Sequence, residues 1–170
     1  MPTFGLLVKL PEAEGVGKVI IPADKPWVLD LVQSDGEETR SKVEVDPSNV
    51  EKLEGSKGGE ANLVIKFEGS KKKAFVKIVN VGEGYTQNVC DGTNEHFQCV
   101  AAFECRGCEP TAWYPGCGFK VTSTDDKTTF EDVDLDEEWC DYCEAQDLSV
   151  QIMSVEHKFM ASYWQCHDQW

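Results

Sequence analysis

The chain has 170 residues, 41% of them hydrophobic, enough to bury one core, or two small cores sharing an interface, without disulfides. A formal net charge of −15 argues against nucleic acid and anionic membrane as partners, because both depend on clustered Lys and Arg. No apolar stretch approaches a membrane span, and no basic region precedes the short apolar run Phe4 to Val8, so the expectation is a soluble, cytoplasmic, unexported protein.

Phe4 to Leu10 alternates as a strand does, and Val19 to Ile21 reads as a short second strand ended by Pro22, which cannot donate to a ladder. Trp27 to Val32 is a third, feeding a tight turn at Gln33-Ser-Asp-Gly36, with Lys42 to Val45 returning; Asp-Gly supplies the positive φ that hairpin turns use. Asn49 to Glu60 has no apolar period and predicts a solvated loop. Leu63 to Phe67 and Ala74 to Val79 are strands around the turn Glu68 to Lys73, whose lysine run is read as a solvated hairpin tip.

Gly82 to Glu95 reads as a connector, and Phe97 to Glu104 as a strand running into Cys105. Pro110 to Gly118 predicts an aromatic, glycine-bearing loop, and Asp125 to Thr128 a turn. Val133 and Leu135 alternate with Asp132, Asp134 and Asp136, which places the apolar pair inside and three carboxylates outside. Leu148 to Val155 is the last clear strand, and no segment sustains a helical period.

Charge and sulfur are unevenly distributed. Residues 1–84 carry 12 basic and 14 acidic side chains, residues 85–170 carry 4 and 17, and all eight cysteines lie from Cys90 onward. Among them are Cys105-Arg-Gly-Cys108 and Cys140-Asp-Tyr-Cys143, two Cys-x-x-Cys pairs with 31 residues between them. That spacing suits a four-thiolate zinc site, in which each pair grips the ion from a tight turn and two hairpins converge on it. A repeat is also visible. Trp27–Val32 feeding the turn at Gln33 corresponds to Val100–Glu104 feeding Cys105, and Val64–Lys66 feeding Phe67-Glu-Gly-Ser70 corresponds to Glu137–Trp139 feeding Cys140. The expected organisation is an N-terminal β half, 1–84, without metal ligands and a C-terminal β half, 85–170, carrying the metal site, with a four-residue turn at each corresponding place.

Phe103-Glu-Cys-Arg-Gly-Cys-Glu-Pro110 followed by Gly118-Phe119, and Trp139-Cys-Asp-Tyr142 followed by Ala145-Gln146, Ser149-Val150, Ile152, Val155, His157 and Phe159, resemble the eukaryotic CXXC-motif-containing zinc-binding protein family, well over residues 97 to 160 and weakly in the first half. The resemblance implies an all-β fold of two pseudo-two-fold-related halves, sandwich-like or barrel-like, packed as one compact unit, with one tetrahedral zinc and no established enzymatic activity. It also exposes a departure. The family's zinc-binding pairs fall at turns that align with Gln33, Gly36, Phe67 and Ser70, none of which can replace a thiolate. The expectation is a site moved across the pseudo-symmetry axis to Cys105, Cys108, Cys140 and Cys143, holding one Zn2+ per chain.

Four thiolates leave a zinc ion no open position, so the site would be structural and would contribute to folding. A redox pair and a transient metal-carrying site, Cu(I) included, stay open. Carboxylates around the pairs, with Arg106 the only nearby cation, predict raised thiol pKa values without metal. The acidic run Glu131 to Glu144, with eight carboxylates, reads either as a solvated strand face or as a collar that attracts cations. A calcium loop fails there, because Glu137 and Cys143 stand where a glycine and a bidentate glutamate are required. Cys90, Cys99, Cys117 and Cys166 read as small buried hydrophobes, with Cys166-His167 a weak auxiliary ligand pair. His157 reads as a packing or hydrogen-bonding residue, and Trp113-Tyr114-Pro115, Trp164 and Trp170 as core or interface filling. No catalytic elbow, metalloprotease or phosphate-loop pattern occurs. The functional expectation is a non-enzymatic, monomeric, zinc-binding protein-interaction module with an unidentified protein partner; the alternative is a metal-handling or thiol-redox protein using the same cysteines.

Overall fold

The structure, a computed structural model, describes residues 2–55, 59–82, 85–92 and 96–161. Among the described residues every regular element is a strand: β1 (Thr3–Lys9), β2 (Ala13–Glu14), β3 (Val16–Ile20), β4 (Trp27–Gln33), β5 (Thr39–Val45), β6 (Glu51–Lys52), β7 (Glu60–Ala61), β8 (Leu63–Ile65), β9 (Ala74–Val79), β10 (Val89–Asp91), β11 (Gln98–Arg106), β12 (Cys108–Tyr114), β13 (Phe119–Ser123), β14 (Thr129–Val133), β15 (Trp139–Cys143), β16 (Leu148–Ile152) and β17 (Glu156–Ala161).

The apolar strands lie at the centre. β1 is buried along almost its whole length, because it sits inside a five-stranded sheet of order β17-β1-β11-β9-β8 with core on both faces. Successive side chains of a strand point to opposite faces, so Leu6 enters the main core while Leu7 joins Cys99 and Ala102 in a second, smaller one. Aromatic edges knit the main core: Trp27 meets Phe103 edge-on at 5.7 Å and Trp113 meets Phe119 at 6.3 Å. Burying side chains of this size contributes roughly 1.5–3 kcal/mol each before entropy is counted.

The other sheets run β10-β3-β13-β14, β12-β4-β5 and β15-β16-β2, with a two-stranded ribbon β6-β7. The fold is therefore all-β and antiparallel, with stacked open sheets and no closed barrel. Four of these five sheets draw strands from both sides of residue 84, so the two sequence halves are threaded through one another.

Three expectations are corrected. The loop expected over Asn49 to Glu60 contributes the ribbon β6-β7, whose pairing Glu51↔Ala61 shows no apolar period because its strands are two residues long, with only Ala61 buried. The connector 82–95 contributes β10, paired with β3. The loop expected at Pro110 to Gly118 is largely the strand β12. Proline is tolerated there because β12 is an edge strand with a register shift between Pro110 and Ala112, the two settings in which a missing N–H costs least. No described helix is long and apolar enough to cross a membrane.

Candidate metal centre

Where the turns fall decides what the cysteines can do. Turns close in the first half at both repeat positions: Gly36 N–H donates to Gln33 O at 3.4 Å and Ser70 N–H to Phe67 O at 3.1 Å. Gly36 has no positive φ, and only the movable end of the Gln33 side chain lies over the place a Cβ would occupy. The two turns are joined. Glu68 N–H donates to the Glu38 carboxylate at 2.7 Å, Arg40 donates to Lys66 O, and its guanidinium lies 5.5 Å from the Phe67 ring centre. They converge as a pair of metal-gripping turns would, yet they offer an amide, a phenyl ring and a hydroxyl. Phe67, 2% exposed, fills the space between them.

Neither cysteine pair of the second half is on such a turn, contrary to expectation. Cys105 is near the end of β11, paired with Val76, and Cys108 opens β12, paired with Gln33. Between them the chain leaves one sheet for another through a bend at Gly107, whose φ of 76° and close approach to Ala74, 3.2 Å from an added Cβ, suit glycine. The bend turns both thiols into the core, at 0% and 1% exposure. The two thiols lie close enough to perturb each other's ionisation, and each donates to a backbone carbonyl, Cys105 to Phe103 O at 4.0 Å and Cys108 to Phe75 O at 3.8 Å.

Cys140 and Cys143 lie within one strand, β15, held straight by pairing with β16 from Trp139↔Ile152 to Cys143↔Leu148. Three residues apart on a strand, side chains face opposite ways. Cys140 is accordingly exposed, while Cys143 is buried with its thiol 3.5 Å from the Thr128 hydroxyl.

The four residues expected to share one ion are thus not gathered as a set; only Cys105 and Cys108 touch. Among the described residues no group of three or more His, Cys, Asp or Glu is disposed to hold a metal. A tetrahedral zinc needs four donors at roughly 2–2.3 Å. Neither the four cysteines as placed nor the first-half turns fit it.

The electrostatics of the Cys105–Cys108 pair correct the expectation of uniformly raised thiols. Cys105 is pushed up, first by the neighbouring Cys108 thiol, then by burial, with Glu104 and Glu109 adding to it. Cys108 is held down by the neighbouring Cys105 thiol, rather than by a cation, against burial and Glu109. Phe75 and Thr128, which receive two of the thiols, carry no signal in the sequence.

Of the remaining cysteines, Cys90 and Cys99 are buried as expected, and burial pushes each thiol up to about 12. Cys117 is exposed, while Cys166, His167, Trp164 and Trp170 lie outside the described residues. His157 is a half-buried hydrogen-bonding residue: its Nε2 accepts from the Trp113 backbone N–H at 3.1 Å, and its ring stands edge-on to Trp113 at 5.8 Å. Val133 and Leu135 are buried and Asp132, Asp134 and Asp136 exposed, as their alternation predicts.

A family profile described as "CXXC motif containing zinc binding protein, eukaryotic" matches residues 6–160. The chain belongs to this family. The human protein named CXXC motif containing zinc binding protein is 41% identical over 68 residues, a stretch that spans 39% of this chain and 42% of the relative. The matched stretch is thus less than half the length of that relative. A UPF0587 protein of Schizosaccharomyces pombe is 27% identical over 114 residues, covering 67% of this chain and 68% of its own. Two solved structures share the fold across nearly the whole chain. One is a hypothetical protein from Plasmodium falciparum, with a TM-score of 0.82, 26% identity, and coverage of 94% of this chain and 100% of that one. The other is the crystal structure of C1orf123, with a TM-score of 0.81, 26% identity and coverage of 93% and 98%. The family description names zinc.

Proposed function

We propose that this chain is a non-catalytic protein-contact module in which Cys105, Cys108 and Cys143 serve the fold as packed thiols, with Cys140 exposed, rather than forming one four-thiolate zinc site. One observation carries the reading: Cys140 and Cys143 occupy opposite faces of β15, so bringing both to an ion shared with Cys105 would require that strand to unpair from β16. The buried thiols already have polar neighbours, as a core group requires. Metal analysis of purified protein tests it. The expected result is no stoichiometric zinc that depends on Cys140 or Cys143. One zinc per chain, lost on Cys105→Ser and equally on Cys140→Ser, overturns the proposal and establishes the four-thiolate site.

A thiol-exchange reading is favoured by one feature, the contact between the Cys105 and Cys108 sulfurs. Oxidation would join them, releasing two protons and two electrons to a disulfide-bearing partner that is reduced in turn. Their burial makes this the slower reading; rapid oxidation of the native pair by glutathione disulfide would promote it.

A further inference from the structure

The chain is strongly acidic, yet five of its cations converge on one face. Lys71, Lys72 and Lys73 stand on the β8–β9 turn between two clefts. One, of about 430 Å3, adds Lys52 and Arg106 over a floor of Leu53, Val64 and Phe75. The other, of about 270 Å3, lies beside Phe67 and Gly107 and shares the three lysines and Arg106. Arg106 is one of only four basic residues after residue 84. The bend at Gly107 brings it there, so residues distant in sequence build the cluster.

Several cations elsewhere in the fold are engaged: Lys9, Lys25, Arg40 and Lys42 lie over aromatic rings, and Lys120 pairs with Glu131 at 4.0 Å; the cluster is set apart by five cations lining adjoining clefts. Among the described residues no ion pair or ring contact engages Lys52, Lys71, Lys72, Lys73 or Arg106. Three acids among the described residues share the clefts with the five cations, and none forms an ion pair with them. Glu51 is turned back to accept the Val64 N–H at 3.1 Å, and Glu54 and Asp35 are exposed residues of the lining. The turn is also ordered from within, because the Ser70 hydroxyl donates to Lys72 O at 3.0 Å and accepts from Lys72 N–H at 3.3 Å.

We infer that this face is a docking groove for a short acidic segment of a partner protein, in which carboxylates pair with Lys71–Lys73, Lys52 and Arg106 while an apolar side chain rests on Leu53, Val64 and Phe75. Charge selects the occupant. A long polyanion extends beyond the patch and meets the field of a molecule at −15, whereas a short acidic peptide is held within about one Debye length, roughly 8 Å in physiological salt. The apolar floor beside the cations suits a peptide better than a phosphate surface. Electrostatic complementarity of this kind governs partner selection and on-rate above all.

The inference rests on the contact function proposed above and is tested apart from it. Fluorescence anisotropy would follow a labelled peptide of about twelve residues alternating Glu-Glu with Leu. Binding is expected, weakening at least about tenfold when Lys71, Lys72 and Lys73 are all changed to Glu, and again with Arg106→Glu, while circular dichroism reports an unchanged fold. A Lys120→Glu control should leave it unaltered. Three results overturn the groove: no binding, binding indifferent to these reversals, or tighter binding of an oligonucleotide of equal length or of phosphatidylserine vesicles. Cross-linking to protein partners that survives the reversals would also remove the groove, while leaving contact function in place.

Discussion

His157 shows how one side chain can make this fold sensitive to acid. Burial holds its imidazole below the ordinary value of 6.5, and its Nε2 must stay unprotonated to accept from Trp113 N–H. Because the folded-state value is depressed, the unfolded chain takes up the proton first as pH falls. The stability His157 contributes is therefore complete above about pH 6.5 and is lost as pH drops toward its lower folded value. Urea unfolding at steps between pH 7.5 and 5 should show stability falling through this window, and His157→Gln should flatten the slope there. An unchanged slope would mean that other groups dominate. The sequence marked His157 as a packing residue because it lies in a strand-like run; that its partner is Trp113, 44 positions away, follows only from β17 and β12 lying side by side.

Strands β11, β12 and β15 decide the fate of the Cys-x-x-Cys motifs. Such a motif suggests a turn when read by itself, but backbone conformation here is set by pairing: β15 by its five-residue ladder with β16, and Cys105 by β9. The consequence is asymmetric. Cys143→Ser leaves a hydroxyl in the core beside Thr128 and should cost about 1–3 kcal/mol, whereas Cys140→Ser is an exposed change within about 0.5 kcal/mol of neutral. Guanidinium denaturation of the two variants separates this arrangement from a zinc site, in which either change would remove a ligand and both would destabilise comparably. The same principle explains β12. Pro110 makes its segment look like a loop, and the edge position and register shift that allow a proline strand appear only when β4 lies alongside.

At the scale of the molecule, interleaving determines how the chain folds. Without residues 85–170, β1 loses both neighbours, β11 and β17, β4 loses β12, and β3 loses β10 and β13. Unpaired apolar strands do not stand alone. Residues 1–84 expressed separately should therefore be unfolded, with a narrow amide proton spectrum, while the full chain unfolds in a single transition coincident by fluorescence and circular dichroism. A dispersed spectrum from the fragment would establish two autonomous halves. The second half carries most of the net negative charge and the first the basic turn; threading them together is what lets Arg106 join Lys71, Lys72 and Lys73 at one face.

The sequence by itself determined the all-β class, most strand positions and the family, because alternation of apolar residues is a local property and the motif from Phe103 to Phe159 is continuous in the chain. It also determined that the first-half turns hold no thiolates. Tertiary structure decided which cysteines meet, where the strands of each half pair and which cations gather. A thiolate site requires four side chains to point at one spot. Spacing along the chain constrains that only when the backbone between them is a turn, and here the pairing of β15 with β16 and the bend at Gly107 take the two pairs out of that geometry.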